Sequence, residues 1–283
     1  MSDYQRFVAS EDILLKTFLE KRVSGRALKK LKYQGGIKVN GIARTVRYLL
    51  RQGDVVELFY PSEKARATII PWYFPLHVLY EDDYLMVVRK PAGMPSVPNG
   101  HYPNYTLTNV IMGYYEMAHI DSTVHLVSRL DKDTSGIILV AKTRRMHALL
   151  NQNFERRYRL WVTGKMIGEG TIDAPIARGP ESIKRFVSAE GKRAVTHYQV
   201  LESGEKQSLV EAVLETGRTH QIRVHFAHLG HPLLGDKLYG KAHPDFNGQA
   251  LHSFYLSFVH PVSGQLMTFE DLPELYRQSH FQY

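Results

Sequence analysis

The sequence predicts an α+β protein: a mixed, largely antiparallel central sheet, preceded by a small basic domain built on an αα-hairpin. Three observations carry this. Strand-like segments at 158–164, 193–201, 208–215 and 250–258 follow one another without a regular alternation of helices, which argues against a βαβ repeat. The charge is lopsided, with 14 Lys/Arg against 7 Asp/Glu in residues 1–70 and 22 against 21 in the remaining 213. Between the two regions, residues 62–75 carry the charges and prolines of a linker. Domains are therefore expected at 1–61 and 76–283, and a chain of 283 residues is long enough to bury both cores.

In the first domain, Ile13, Leu14, Thr17 and Phe18 have helical spacing, and Glu11 and Asp12 suit a helix start, so a helix is expected over 11–20. Ser24 reads as the N-cap of a second helix, Gly25 to Tyr33. Leu28 and Leu31 mark its buried side, leaving Arg26, Lys29, Lys30 and Lys32 for solvent or a phosphate backbone. Gly35-Gly36 ends it. Ile37 to Val39 is then a strand, and Asn40-Gly41 is a strong two-residue hairpin signal. Gly53-Asp54 turns into the strand Val55 to Phe59, and Pro61 closes the unit.

In the second domain, His77 to Tyr80 and Tyr84 to Arg89 read as strands around the acidic turn Glu81-Asp82-Asp83. Lys90-Pro91-Ala92-Gly93-Met94-Pro95 is a rigid turn, and Thr106 to Ala118 is a helix. The run Ile137 to Ala141 is β-branched and apolar, as in a buried strand. A helix is expected from Arg144 to Arg157, with Met146, Leu149, Leu150 and Phe154 along one side.

The chain contains no cysteine, which excludes disulfides and thiolate chemistry and suits a reducing cytoplasm. No signal-peptide core or membrane-spanning apolar run occurs in the sequence. From Lys21 to Gly53 there are ten basic residues and no acid, a field suited to a polyanion, of which nucleic acid is the commonest.

The second domain is organised around His125 to Lys142. Arg129 and Asp131 lie on a polar loop that passes through Gly136 into the buried strand, a place where a reacting group is held firmly. Three further stretches join it: Lys90-Pro91-Ala92-Gly93; Glu155 to Gly164, containing Tyr158; and Thr216-Gly217-Arg218-Thr219-His220-Gln221-Ile222-Arg223-Val224-His225, followed by His231 to Asp236 and Tyr239-Gly240. With Arg129-Leu130-Asp131-Lys132-Asp133-Thr134-Ser135-Gly136, in this order and spacing, these blocks resemble the RluA family of RNA pseudouridine synthases over residues 76–270. The first domain resembles the S4 RNA-binding domain through Ser24, Arg26, Leu28, Leu31, Lys32, Val39-Asn40-Gly41, Val46, Gly53-Asp54 and Val56, although Leu14-Leu15-Lys16 replaces the usual pattern of its first helix. The combination is similar to the ribosomal large-subunit pseudouridine synthases.

The resemblance implies a pseudouridine synthase fold and isomerisation of uridine in structured RNA, 23S rRNA or a ribosomal precursor. In that reaction the C1′–N1 bond breaks, the uracil turns, and C5 joins C1′. Nothing is oxidised or added, so no cofactor, nucleotide or metal is expected. One ionised carboxylate is needed beside the sugar, to attack C1′ or to take a proton from C2′. Asp131 is the candidate. The resemblance makes Arg223 its salt-bridge partner, expected to engage it through a planar fork and keep it charged. It makes Tyr158 the tyrosine that stacks on the target base, Ile222 an apolar wall for the uracil, and Arg129 the residue that fills the stack after base flipping. Ser128 departs from the family, where His commonly precedes Arg-Leu-Asp. A monomer is expected, with no membrane association.

Other readings follow from single features. His220, His225, His228 and His231 invite a metal site, but no acid follows at helical spacing to complete a hydrolytic zinc centre. Asp131 and Asp133 invite a glycosidase pair, but two positions on one tight loop do not easily oppose each other. A tRNA substrate, or a non-catalytic RNA-binding or ribosome-assembly protein, is the remaining alternative. Asp131, Tyr158 and Arg223 together favour an enzyme, because binding alone has no need of a carboxylate facing phosphates.

Overall fold

The computed structural model describes residues 4–34, 36–60, 69–151, 154–179 and 183–277. The chain divides into two compact units: residues 1–66 with His119–Thr123, and residues 67–118 with 124–283. Among the described residues no helix is long and apolar enough to cross a membrane.

The basic helix of the first unit forms as Gly25–Tyr33, and the Ser24 hydroxyl accepts from the Ala27 N–H at 3.2 Å. Leu28 and Leu31 are buried, whereas Arg26, Lys29, Lys30 and Lys32 are exposed. Gln34 caps the helix C-terminus; Gly35 lies outside the described residues. Asn40 and Gly41 both have positive φ, 50° and 78°, as the tight hairpin between Gly36–Val39 and Ile42–Ala43 requires. Asn40 also ties this turn to the next, donating to Asp54 at 2.8 Å and accepting from the Val55 N–H at 2.8 Å.

The expected helix over 11–20 is shorter. Ile13–Leu14 pairs with Leu49–Leu50 as a two-residue ladder, and only Leu15–Glu20 is helical. Asp12 does not start that helix; its carboxylate accepts from the Gln52 N–H at 2.8 Å. An unforeseen strand, Tyr4–Val8, pairs with Val55–Phe59, completing a sheet in the order Tyr4–Val8, Val55–Phe59, Gly36–Val39, Ile42–Ala43. Leu15, Phe18, Leu19, Leu28, Leu31, Leu50, Val56 and Leu58 form the core beneath it.

Pro61 and residues 62–68 of the expected linker lie outside the described residues. The following residues are fastened to the helix Leu107–Met117: Trp72 N–H donates to the Asn109 carbonyl at 2.9 Å, and the Asn109 amide to the Ile70 carbonyl at 2.7 Å. Gly113 permits this approach, since a Cβ there would stand 2.7 Å from the Trp72 carbonyl oxygen.

Among the described residues of the second unit, ten strands share one sheet. Its main path runs Glu169–Asp173, Val195–Ser203, Gln207–Leu214, Phe154–Thr163, Leu251–Val259, Ser135–Ala141, Leu85–Lys90, His77–Glu81. His125–Leu126 adds to Ser135–Ala141, and Leu266–Glu270 to Leu251–Val259. Ser135–Ala141 with Leu251–Val259 is a parallel pair; the other pairs are antiparallel, so the sheet is mixed and largely antiparallel as expected. Ile137, Leu139 and Ala141 point into a core with Leu85, Val87, Met146, Leu150, Leu256 and Phe258.

The helix expected at Arg144–Arg157 stops at Leu150. Phe154–Thr163 is instead a ten-residue strand held on both sides, by Gln207–Leu214 and Leu251–Val259. Pairing on two edges outweighs the local helical spacing, and Leu149, placed by that spacing beside Met146 and Leu150, is 41% exposed while those two are buried.

Candidate active site

The loop carrying Asp131 is fastened at both ends. On the upstream side, the Ser96 hydroxyl donates to the Leu130 carbonyl at 2.6 Å and accepts from the Leu130 N–H at 3.1 Å. On the downstream side, Gln249 donates to the Thr134 hydroxyl at 2.9 Å, and Ser135 Oγ meets His252 Nδ1 at 2.7 Å. Gly136 has φ of 121°, and a Cβ there would lie 2.2 Å from the Ser253 carbonyl oxygen, so the sharp entry into the strand needs glycine. Beneath the loop, the fully buried Lys90 donates from Nζ to the carbonyls of Pro91, Met94 and Lys132 at 2.8, 2.6 and 2.9 Å. Burial pushes its ammonium down to about 7, against the pull of Asp133 and Asp131.

Asp131, Arg129, Tyr158, Ile222 and Arg223 line one cleft of about 740 Å³. Asp131 Oδ2 accepts from Arg223 Nη1 at 3.0 Å across 92 residues of sequence. The expected planar fork, however, goes elsewhere. Arg223 donates through Nε and Nη2 to the two oxygens of Asp236, at 2.7 and 2.9 Å, and spares a single N–H for Asp131. Burial works against charge on Asp236, but Arg223 and the N–H groups of Leu238 and Tyr239 hold its carboxyl below the ordinary range. Burial opposes charge on Arg223 too, and the two carboxylates more than offset it, so the guanidinium is a fixed cation. It also lies over the Tyr239 ring, 5.1 Å from the centroid.

The sequence places Asp236 at the end of the His231–Asp236 stretch and His220 three residues before Arg223. In the structure His220 caps the helix Gln221–His228 in a left-handed conformation, φ 60°, with Nε2 3.8 Å from Asp131. Burial lowers its pKa, so a neutral imidazole faces the carboxylate at pH 7. Its Nδ1 meets the Tyr239 hydroxyl at 2.9 Å.

Tyr158 is 4% exposed and sits where the pairing of Phe154–Thr163 with Leu251–Val259 slips between Arg157 and Tyr158. Such an irregularity re-aims a side chain, and this one supplies part of the cleft wall. Ile222 is buried against the same cleft. Arg129 is exposed at its rim, and among the described residues it forms no pair with Asp131 or Asp133. Ser128 is buried there, and among the described residues its hydroxyl has no hydrogen-bond partner. Arg26, Lys29, Lys30 and Lys32 lie in the other unit.

The competing readings find no geometry. His225 uses both ring nitrogens on Thr196 and the Ala174 carbonyl, at 2.8 and 2.9 Å, and His231 meets the Thr163 carbonyl at 2.8 Å. Among the described residues no group of three His, Cys, Asp or Glu is arranged for a metal. Asp133 packs against Gly248 and is not among the residues lining the cleft that Asp131 faces.

Comparison with known proteins bears on this cleft directly. The family described as RNA pseudouridylate synthase matches residues 84–228, which include Asp131, Tyr158, Ile222 and Arg223. The chain is 44% identical over 255 residues to the RNA pseudouridine synthase YjbO of Bacillus subtilis, covering 87% of this chain and 90% of that one. It is 42% identical over 227 residues to ribosomal large subunit pseudouridine synthase D of Zymomonas mobilis, covering 72% and 71%. Among solved structures, human RNA pseudouridylate synthase domain containing 4 superposes with a TM-score of 0.57 at 25% identity, over 71% of this chain and 90% of that one. The mixed central sheet is accordingly a pseudouridine synthase fold. From the profile match and the extent of these identities, the chain belongs to the RNA pseudouridylate synthase family and is an RNA-modifying isomerase.

Proposed function

We propose that this enzyme isomerises uridines in the structured RNA of the large ribosomal subunit, 23S rRNA, with Asp131 as the carboxylate that acts at the sugar. The observation that carries the proposal is the division of labour on Arg223. Asp236, fully buried, takes the guanidinium fork, while Asp131 takes one N–H and remains a quarter exposed to the cleft. A carboxylate held that way keeps lone pairs facing the cleft for an incoming C1′ or a C2′ proton. The relatives named as large-subunit pseudouridine synthases support ribosomal RNA as substrate.

The other residues divide between holding the base and holding the strand. Tyr158 stacks on the uracil and Ile222 walls it. Arg129, exposed at the rim and without an ion pair among the described residues, fills the place the nucleotide leaves when it flips out, a step that costs roughly a few kcal/mol. The first unit acts as an S4-like RNA-binding domain. Its support is the row of exposed cations Arg26, Lys29, Lys30 and Lys32, for which no carboxylate partner is found among the described residues. No cofactor enters the reaction, and the chain acts as a monomer.

Asp131→Asn tests the central assignment. It is expected to reduce pseudouridine formation by at least about 10³-fold while RNA affinity changes little. Wild-type-like turnover in that variant removes Asp131 from the chemistry. Pseudouridine mapping of total RNA from a strain lacking this protein, beside its parent, identifies the substrate: loss at large-subunit sites supports the reading, and loss confined to tRNA replaces it.

A further inference from the structure

The cleft wall carries an exposed tyrosine, Tyr102, with a second, Tyr105, three residues on, and the isomerisation itself uses neither. We propose that Tyr102 and Tyr105 form a stacking platform for unpaired RNA bases beside the flipped nucleotide, an inference that rests on RNA as the substrate. Tyr102 lines the cleft and is 40% exposed; Tyr105, three residues on, is 67% exposed. Both rings are held in place. The Asn99–Tyr102 turn closes through paired backbone hydrogen bonds of 2.9 and 3.1 Å. Lys132, next to Asp131 in the chain, donates to the Tyr102 hydroxyl at 2.9 Å, with its ammonium 4.8 Å from the ring centroid. Tyr105 keeps a left-handed backbone, φ 62°, which a bulky aromatic rarely adopts. Trp72 buttresses its ring edge-on at 5.2 Å, itself fastened to the helix Leu107–Met117.

Charge selects the occupant. Arg129, Lys132, Arg156 and Arg218 line this cleft together with Arg223, against Asp131 and Glu215 as its carboxylates. An apolar protein surface over the two tyrosines leaves the cations without counter-charges. A single strand of RNA supplies phosphates for the cations and ring faces for the tyrosines, and stacking of this kind tolerates any base.

Two measurements on the full chain test the platform. With RNA from a strain lacking this protein as substrate, Tyr102→Ala/Tyr105→Ala raises KM roughly tenfold. The loss falls on KM, and the salt dependence keeps its slope because no cation is removed. Tyr102→Phe/Tyr105→Phe restores KM. An unchanged KM in the alanine variant overturns the inference, as does an equal loss in the phenylalanine variant. The second probe is an oligouridylate of about twelve nucleotides carrying one 2-aminopurine, long enough to track such a groove. Saturating wild-type protein is expected to quench it. Absence of quenching overturns the platform without requiring any variant to fold. If the wild-type protein forms no pseudouridine in the cellular RNA, the function reading fails, and the 2-aminopurine titration still reads the platform.

Discussion

Arg223 serves two carboxylates at once, and its geometry ranks them. Asp236 receives two N–H groups in the buried interior and Asp131 receives one at the cleft. Removing charge from one partner of such a buried pair leaves the other uncompensated. Asp236→Asn is therefore expected to lower stability by about 3–5 kcal/mol, read by urea unfolding. It also frees the guanidinium to swing toward Asp131, so pseudouridine formation falls roughly tenfold or more, as when the support of a reactive ligand is removed. An unchanged unfolding midpoint would show that Asp236 does not anchor Arg223. The pairing of Arg223 with Asp131 was legible from the family blocks. Its ranking was not, because two carboxylates within reach of one guanidinium are equivalent in sequence and only their approach in space decides between fork and single bond. His220 shows the same limit: its position in the motif was plain, but the left-handed cap that turns it toward Asp131 is a backbone property.

At the scale of elements, the loop between His125–Leu126 and Ser135–Ala141 is positioned by contacts that tolerate little change. Gly136→Ala combines a positive φ with a methyl group 2.2 Å from a backbone oxygen, so it is expected to cost several kcal/mol and to abolish activity. Circular dichroism melts beside turnover measure both effects, and wild-type values for either would mean that the strand entry relaxes freely. Lys90 gives the loop a pH dependence. Its folded value, about 7, lies below the ordinary lysine value, so between the two the folded protein binds fewer protons than the unfolded chain. Stability from this site therefore rises as pH climbs from about 7 toward about 10. Urea unfolding across that range is expected to show the rise in the wild type and a smaller one in Lys90→Met. Identical slopes would place the ionisation of Lys90 elsewhere. The buried runs at 85–90 and 135–141 were readable because β-branched apolar residues crowd together there. The helix at 144 was read too long because Leu150 and Phe154 continue its spacing, while the two strands that capture Phe154–Thr163 are contributed from residues 207–214 and 251–259. Short strands such as Glu169–Asp173 and Arg185–Val187 lack an apolar alternation and left no signal.

For the molecule as a whole, the lopsided charge is the property most directly read from sequence, and the proposal that the first unit binds RNA rests on it. Deleting residues 1–61 is expected to weaken RNA binding. If Arg26, Lys29, Lys30 and Lys32 all meet phosphates, the slope of log affinity against log salt becomes shallower by roughly 3. A salt titration of both forms measures this, and equal slopes would remove these four residues from the interface. The site's dependence on distant chain has a further consequence for biosynthesis. Asp131, Thr134 and Ser135 are fixed by Arg223, Gln249 and His252, partners 92, 115 and 117 positions downstream. A polypeptide still being translated thus carries Asp131 well before the downstream partners that fix its loop have been made. Under the proposed function, unfinished copies lack the contacts that hold Asp131 and are expected to be inactive on RNA.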